Sequence, residues 1–467
     1  MSTEKKGMNV GTKSFLTATM VIFTLMVLTY VLTFIIPGGE YPRMIDEMGN
    51  SVIDTTGEFR FVEGGMPFWK WLLSPFLVLG AEGSGSLIGV IIFLLVIGGV
   101  FITLDRCGLM EYMLNRITFK FGKNRYALLF VITLFFMALG SFIGSFEECI
   151  PMMPIVVALA VRLGWDPLTG MGMSLLATGC GFAAGVCNPF TVGVAQEVAG
   201  LPMFSGVWFR ALSFVIIYAG LLLFLIRYIK KIEKPLSEDI LHSNFKAREE
   251  MDKGLACFGS IVCVGIALVL SSVFIPAIQD YNMIIIAVMF LVAGILSSLI
   301  CKMKVRHLVM TFFNGATSML PAVVMILMAN SIKYTLVEAH VLDTVLHAAV
   351  QVAGELPREM VILFIYVIVL SMNFFIPSGS AKAFLLMPLI VPIAQVFGIS
   401  AQLCVAAFAF GDGFSNVFYP TNPVLLIGLG LVEVDYLKWV KWSWKFQLGN
   451  LILTSGLLLF GLAVGYC

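Results

Sequence analysis

Charged residues are scarce in this chain: they make up 12% of its 467 residues, about half the share in a soluble globular protein. The 29 basic and 28 acidic side chains nearly cancel, so the net charge of +1 offers no basic surplus for binding nucleic acid. The nine cysteines show no CxxC spacing, and no Walker A motif is present. These absences argue against a nucleic-acid partner, a cysteine-based metal or redox site and an integral ATPase.

Apolar residues dominate instead, at 59% of the chain, with a mean hydropathy of +0.98. A helix that spans a bilayer needs about 20 apolar residues. Two further regions, 125–200 and 359–434, are apolar but interrupted. The sequence therefore predicts a polytopic membrane protein with full-length helices at 14–37, 85–105, 207–228, 254–277, 283–301, 307–331 and 446–465.

The distribution of charge predicts the orientation of these helices, because short loops rich in Lys and Arg stay in the cytoplasm. Basic residues precede the first helix and recur in 107–125 and 229–253, whereas the loop 40–70 is acidic. We therefore expect a cytoplasmic N-terminus, an outward loop 40–70 and an outward C-terminus. The expected location is the inner membrane of the cell.

Counting crossings predicts re-entrant hairpins. Only one crossing fits between the inward segment 107–125 and the outward start of helix 207–228, yet three apolar stretches lie between them. The same count holds in the second half. The predicted elements are a cytoplasm-facing hairpin (125–143 and 149–163), a crossing (167–200), an outward-facing hairpin (359–376 and 383–397) and a second crossing (400–434).

An internal repeat relates the two interrupted regions at an offset of 234 residues (422 − 188). Asn188-Pro189 recurs as Asn422-Pro423, and an upstream Met-Pro pair keeps the same offset without a gap. Transporters often combine inverted repeats with discontinuous helices and bind substrate near the midplane, at the breaks. The predicted fold class is an all-α polytopic membrane protein of two inverted repeats, each with a re-entrant hairpin and a discontinuous transmembrane helix.

The predicted organisation has four parts, two of scaffold and two of transport domain. Amphipathic segments 107–123 and 335–357 precede the hairpins and are expected to lie in the membrane interface. The parts are the first scaffold with loop 40–70 (1–124), the first transport half (125–228), the cytoplasmic loop with the second scaffold (229–358) and the second transport half (359–467).

The hairpin tips and helix breaks are the predicted substrate site, because non-helical backbone at membrane depth is tolerated only when buried in protein or lining a cavity. Exposed half-helix N-termini favour carboxylates, and freed carbonyls suit Na⁺, for which Asn188 and Asn422 mark the candidate position. Helix capping is the alternative role of both asparagines. The candidate substrate-binding residues are Ser145, Glu147, Glu148, Asn188, Thr191, Ser378, Gly379, Ser380, Lys382, Asp412, Asn416, Thr421 and Asn422.

Few of these candidates carry charge, and an intramembrane charge is costly enough to mark function. Glu147 and Glu148 lie at one tip, Lys382 at the other and Asp412 in the second break. Three acidic residues against one basic favour an amino acid, especially a cationic one, over a dicarboxylate. A structural ion pair between Lys382 and Asp412, or between Lys382 and one of the glutamates, is the alternative.

Four segments resemble the two-hairpin carriers of the ion transporter superfamily, and in particular the YfcC-like branch of the C4-dicarboxylate anaerobic carrier family, which is similar to arginine/ornithine antiporter-like proteins. The segments are Gly144-Ser145-Phe146-Glu147-Glu148, Cys187-Asn188-Pro189-Phe190-Thr191, Ile376-Pro377-Ser378-Gly379-Ser380-Ala381-Lys382 and Tyr419-Pro420-Thr421-Asn422-Pro423. The resemblance covers nearly the whole chain. It implies a scaffold, a moving transport domain, an elevator motion and a homodimer.

The hairpin tips depart from the Ser-Asn-Thr pattern of the sodium-coupled relatives. They read Ser145-Phe146-Glu147 and Ser378-Gly379-Ser380, so the coupling ion stays open between Na⁺ and H⁺. The expected function is secondary active transport of a small carboxylate-bearing metabolite, foremost an amino acid. The alternatives are a C4-dicarboxylate carrier and, more remotely, a channel. Neither an enzymatic activity nor a cofactor is expected, because no metal-ligand set or nucleophile–base pair accompanies the carboxylates.

Overall fold

A computed structural model describes residues 12–45, 51–53, 58–81, 84–121, 124–144, 146, 149–234, 247–271, 282–353 and 356–467. The described chain is mostly helical, and seven of its helices are long and apolar enough to cross a membrane. The elements of its first half are α1 (Thr12–Ile35), β1 (Gly38–Glu40), β2 (Arg43–Ile45), β3 (Ser51–Ile53), β4 (Arg60–Val62), α2 (Phe68–Leu77), α3 (Ser84–Arg106), α4 (Leu109–Phe121), α5 (Arg125–Ala138), α6 (Cys149–Arg162), α7 (Pro167–Met171), α8 (Ala177–Ala184), α9 (Val194–Val198) and α10 (Val207–Ile232).

Wider π-helical turns extend three of these helices, at Leu139–Ile143, Gly172–Leu176 and Pro189–Gly193. The described part of the second half contains no strand. Its elements are α11 (Glu249–Ser271), α12 (Asn282–Ile300), α13 (Val305–Ser318), α14 (Leu320–Glu338), α15 (Val341–Ala353), α16 (Arg358–Asn373), α17 (Gly379–Val396), α18 (Ala401–Asn416), α19 (Pro423–Leu431) and α20 (Tyr436–Ala463).

Most predicted helices form close to their predicted bounds, and three details were wrong. The segment predicted as 307–331 comprises α13 and α14, joined at Met319 and ending at Glu338. Helix α20 begins ten residues before the predicted 446, because the Asp435 carboxylate accepts a 3.1 Å hydrogen bond from Lys438 N and caps its first turn. The loop 40–70 contains antiparallel strand pairs, β1 with β4 and β2 with β3, so the chain is not entirely α-helical.

Ion pairs gather the polar segments into two groups. In one group, α4 is joined to α11 by Arg116 and Asp252, and Lys302 pairs with Glu250. In the other, Arg43 of β2 lies 3.1 Å from Asp343 of α15, and Lys70 pairs with Glu338. The first group contains only segments predicted to face the cytoplasm, and the second only segments predicted to face outward. Which group faces the cytoplasm stays a prediction.

Each hairpin is closed at its base by an arginine. The Arg125 guanidinium at the start of α5 donates to the Leu163 carbonyl beyond the end of α6, at 3.2 Å. The Arg358 guanidinium at the start of α16 donates to the Gly398 carbonyl beyond the end of α17, at 3.0 Å. Both arms of each hairpin therefore start and finish at the same place, as a re-entrant element requires.

The two hairpin bases lie at opposite ends of α10, a helix of 26 residues and therefore about 39 Å long. Just beyond its C-terminal end, Lys234 N donates to the Gly164 carbonyl of the first base, at 2.9 Å. At its N-terminal end, the Tyr466 hydroxyl donates to the Gly206 carbonyl at 2.7 Å, and Ser400 of the second base bonds the Tyr466 carbonyl. The hairpins thus approach the centre of the molecule from opposite ends.

The two discontinuous helices cross in backbone contact. A Cβ atom placed on Gly413 of α18 would lie 2.1 Å from Ala183 N of α8, so only glycine fits there. Both helices are fully buried at the crossing. The helix that follows each break begins at a proline, Pro189 or Pro423, and these prolines keep the 234-residue offset (423 − 189).

Replacing the crossing glycine tests this contact. We expect Gly413→Ala to lower the free energy of unfolding by about 1–3 kcal/mol, because the new methyl group must displace the backbone of α8. The measurement is thermal melting of the purified protein in detergent. The matched control is Gly449→Ala in α20, where a Cβ atom meets nothing within 4 Å. Equal melting temperatures of Gly413→Ala and wild type would contradict the crossing.

Candidate substrate-binding site

Asparagine side chains cap the half-helix that follows each break. Asn188 Oδ1 accepts hydrogen bonds from Phe190 N at 3.0 Å and Thr191 N at 3.2 Å. Asn422 Oδ1 accepts from the two equivalent amides of the second break, at 2.9 and 3.4 Å. A capping oxygen satisfies N–H groups that hydrocarbon cannot, and proline at the first helical position removes one further donor. These N-terminal amides are thus already bound, and the capping role predicted as the alternative is present at both breaks.

The tip of the second hairpin is inserted between the two breaks. A Cβ atom on Gly379 would lie 2.6 Å from Thr191 Cγ2 and 3.0 Å from Asp412 Oδ2, so glycine allows the tip to approach both helices closely. Ser378 caps α17 by accepting from Ala381 N at 3.4 Å. Gly379 thus brings a hairpin tip, a half-helix start and a buried carboxylate together at one point.

Lys382 and Asp412 form an ion pair with no exposed surface on either side chain. The Lys382 ammonium also donates to Asn373 Oδ1, and to the Ile376 carbonyl at 3.3 Å. Pairing matters here, because an ammonium or carboxylate left alone in a dry interior costs several kcal/mol. Of the four charges expected in the site, the two that the structure describes therefore neutralise each other.

Asn373 and Asn416 extend the ion pair into a hydrogen-bond network. Asn373 Nδ2 donates to Ser415 Oγ at 2.6 Å and to Asn416 Oδ1 at 2.9 Å. Asn422 Nδ2 donates to the same Asn416 oxygen at 2.9 Å. The network links the second hairpin to the second cap, and it uses both polar atoms of the Asn422 side chain.

Four buried polar atoms in this region have no hydrogen-bond partner among the described residues. They are Asn188 Nδ2, Thr191 Oγ1, Asp412 Oδ2 and Thr421 Oγ1. An unpartnered polar atom costs about 1–3 kcal/mol in a protein interior, so four of them in two neighbouring breaks require an explanation. A bound polar ligand would supply the partners.

The structure brings together most of the predicted residues that it describes. Asn188, Thr191, Lys382, Asp412, Asn416, Thr421 and Asn422 are buried at the breaks or beside the second tip, Gly379 and Ser380 are half-buried, and Ser378 is exposed. The three candidates of the first tip, Ser145, Glu147 and Glu148, lie outside the described residues. Among the residues described, no group of three or more His, Cys, Asp and Glu could hold a metal ion. The candidate sodium position near Asn188 and Asn422 stays a prediction.

Sequence reasoning missed three residues. Asn373 was not among the candidates, although it accepts a hydrogen bond from the Lys382 ammonium and donates one to the Asp412 carbonyl, at 3.3 Å. Arg210 of α10 is buried, and its guanidinium donates to backbone carbonyls that include Val186 in the first break, at 3.2 Å. Lys333 of α14 is half-buried in a candidate span and has no partner in the described chain. A search for every Lys and Arg inside apolar stretches would have found the last two.

The sequence is similar to those of a transporter family and of two bacterial proteins. The family model of the C4-dicarboxylate anaerobic carriers (DcuC) matches residues 15–463. The chain is 30% identical over 398 residues to an Escherichia coli K12 protein named "Putative basic amino acid antiporter YfcC". The alignment covers 81% of this chain and 78% of that protein. It is 25% identical over 397 residues to an uncharacterized protein of Haemophilus influenzae, with coverage of 81% and 76%.

Two solved structures also resemble this chain. The YdaH transporter of Alcanivorax borkumensis is 17% identical, with a TM-score of 0.47 and coverage of 96% of this chain and 99% of that one. MtrF of Neisseria gonorrhoeae is 15% identical, with a TM-score of 0.42 and coverage of 94% of both chains.

The family match and the apolar helices define a multi-pass membrane transporter and not an enzyme. The chain belongs to the C4-dicarboxylate anaerobic carrier family.

The buried ion pair can be tested by removing its two charges one after the other. We expect Lys382→Met to lower the free energy of unfolding by about 3–5 kcal/mol, because it leaves the Asp412 carboxylate buried without its partner. Adding Asp412→Asn removes that charge and should recover more than half of the loss. Thermal melting in detergent provides the measurement. A double variant less stable than Lys382→Met alone would contradict a coupled pair.

Proposed function

We propose that this chain is a secondary active transporter of an amino acid, with a basic amino acid as the leading substrate and a C4 dicarboxylate as the alternative. The observation that carries the proposal is the pair of unpartnered atoms at Gly379, Asp412 Oδ2 and Thr191 Oγ1. The carboxylate oxygen accepts from an ammonium group. Asn188 Nδ2, an unpartnered donor at the same break, serves the substrate carboxylate.

The charges of the described part of the site disfavour a dicarboxylate. Two carboxylates would need cationic partners. Lys382 is the one cation in the described parts of the tips and breaks, and it is paired with Asp412. The guanidinium of the nearby Arg210 is bound to backbone carbonyls. The name of the Escherichia coli relative supports a basic amino acid, and the description of the family keeps the dicarboxylate as the alternative.

The proposed mechanism is alternating access between two inverted repeats, driven by Na⁺ or H⁺ coupling or by exchange. The placement of the hairpin bases at opposite ends of α10 supports inversion, and the paired breaks at a constant offset support a repeat. The hairpins, the discontinuous helices, α10 and α20 form the moving transport domain of an elevator-type homodimer. The remaining helices form its scaffold.

The proposed orientation places the N-terminus in the cytoplasm and the C-terminus outside, in the inner membrane. The grouping of polar segments supports it, because the basic segments pair with one another and the acidic loop pairs with the outward connector α15. A cysteine-accessibility assay in intact cells would test the orientation. If a reagent added outside the cells labelled a cysteine introduced at Lys253, the proposed orientation would be reversed.

Uptake into proteoliposomes tests the substrate. The vesicles are filled with unlabelled arginine, and labelled arginine is added outside. We expect labelled arginine to accumulate by saturable counterflow, whereas labelled succinate should not accumulate. Each assay is run with and without a sodium gradient, which identifies the coupling ion. Succinate uptake without arginine uptake would overturn the amino acid assignment, and non-saturable flux without counterflow would indicate a channel.

Asparagine variants separate capping from ligand binding. Asn188→Asp keeps the capping oxygen but removes the Nδ2 donor, so we expect transport to fall at least about tenfold while the protein still folds, because the remaining oxygen caps the same two amides. The matched control is Asn330→Ala in α14, whose amide donates only to the Ile326 carbonyl of its own helix. If Asn188→Asp transports at the wild-type rate, Asn188 Nδ2 is not a substrate ligand.

A further inference from the structure

The environment of the Lys382 ammonium is a shell of oxygen atoms. Asp412 Oδ1, Asn373 Oδ1 and the Ile376 carbonyl oxygen, the last at 3.3 Å, all accept from Nζ. An ammonium group has three N–H donors and no acceptor, so this shell satisfies it completely. The Phe408 ring, 5.8 Å from Nζ, adds an aromatic contact.

Two of the three oxygen atoms of this shell are held in place by contacts that do not involve the lysine. Asn373 Nδ2 is held by the Asp412 carbonyl at 3.3 Å and by Ser415 Oγ and Asn416 Oδ1, which fixes the orientation of the amide oxygen. The Ile376 carbonyl lies in the hairpin turn beyond α16, and its own N–H is bound to Met372 O at 2.8 Å. The Asn373 and Ile376 oxygens therefore each have a support apart from the lysine.

In transporters with broken helices, backbone carbonyls freed at the breaks coordinate small monovalent cations. Here a backbone carbonyl, a side-chain amide and a carboxylate supply three such oxygen ligands. The set lies where the tip of the second hairpin meets the discontinuous helix α18. The Asp412 carboxylate supplies one negative charge to it, and the carboxylate's second oxygen remains unpartnered in the described chain.

We propose that the Lys382 ammonium is a covalently tethered cation that fills a monovalent-cation site of the second repeat. At this position the positive charge is part of the chain, so the second half of the site needs no Na⁺ in order to hold its hairpin tip. Removing the lysine side chain would convert the position into a site for a free cation. The consequence for transport rests on the proposed function, whereas the conversion of the cation site does not.

Thermal melting of the full-length protein in three salts tests the conversion. Lys382→Ala removes the ammonium and leaves space at the oxygen shell. We expect its melting temperature to be about 5 °C higher in 100 mM sodium or ammonium chloride than in choline chloride, because choline is too large to enter. Wild type provides the baseline, because any sodium site elsewhere contributes equally to both proteins.

Two further variants separate the cation site from general effects of salt. Lys382→Met fills the volume with an apolar chain and should show no more salt response than wild type. Lys382→Ala/Asp412→Asn removes the anionic ligand, so the additional response to sodium should disappear. An equal shift in choline, or a response that persists in the double variant, would overturn the proposal. So would loss of folded Lys382→Ala protein in all three salts.

A transport assay distinguishes this inference from the substrate proposal. If the wild-type protein transports arginine, Lys382→Ala should do so only when sodium or ammonium ions are present, a dependence beyond that of wild type. If arginine is not a substrate, the melting experiment still decides the cation site by itself.

Discussion

Backbone hydrogen bonding in an interior poor in water is the constraint on which this structure depends. Breaking a helix exposes N–H groups that hydrocarbon cannot satisfy. Asn188 and Asn422 meet that requirement with side-chain oxygens that each accept from two amides, and a proline follows each of them. With the caps in place, a helix can stop and restart in the middle of the protein, and polar side chains can gather there at an acceptable free energy.

The two breaks share this backbone solution but differ in their side-chain chemistry. At the second break, Asn422 and Asn373, the latter at the end of α16, both donate to Asn416, and Asn373 also accepts from the Lys382 ammonium. In the first break, the amide nitrogen of Asn188 has no partner among the described residues. Each break nevertheless retains two buried polar atoms without a partner in the described chain.

Local patterns in the sequence predicted the helices, the hairpins and the capped breaks, because apolar length, Gly and Pro act over a few residues. They did not predict the joint at Met319 or the short strands of loop 40–70, which depend on tertiary contacts. In the site, counting charges was misleading: Asp412 adds no net charge when Lys382, thirty residues away, is its partner. Asn373 was overlooked for the same reason, since its role arises from atoms on another helix. Ser145, Glu147 and Glu148 lie outside the described residues, so their contribution stays a prediction.

The backbone contact between Gly413 and Ala183 has a mechanical consequence. Two helices that touch without intervening side chains have no layer in which one can slide past the other. A displacement of α18 along the membrane normal therefore has to carry α8 with it, and with α8 the first break. The crossing thus ties the two breaks to each other, and a movement of one break relative to the other would first have to separate these two backbones.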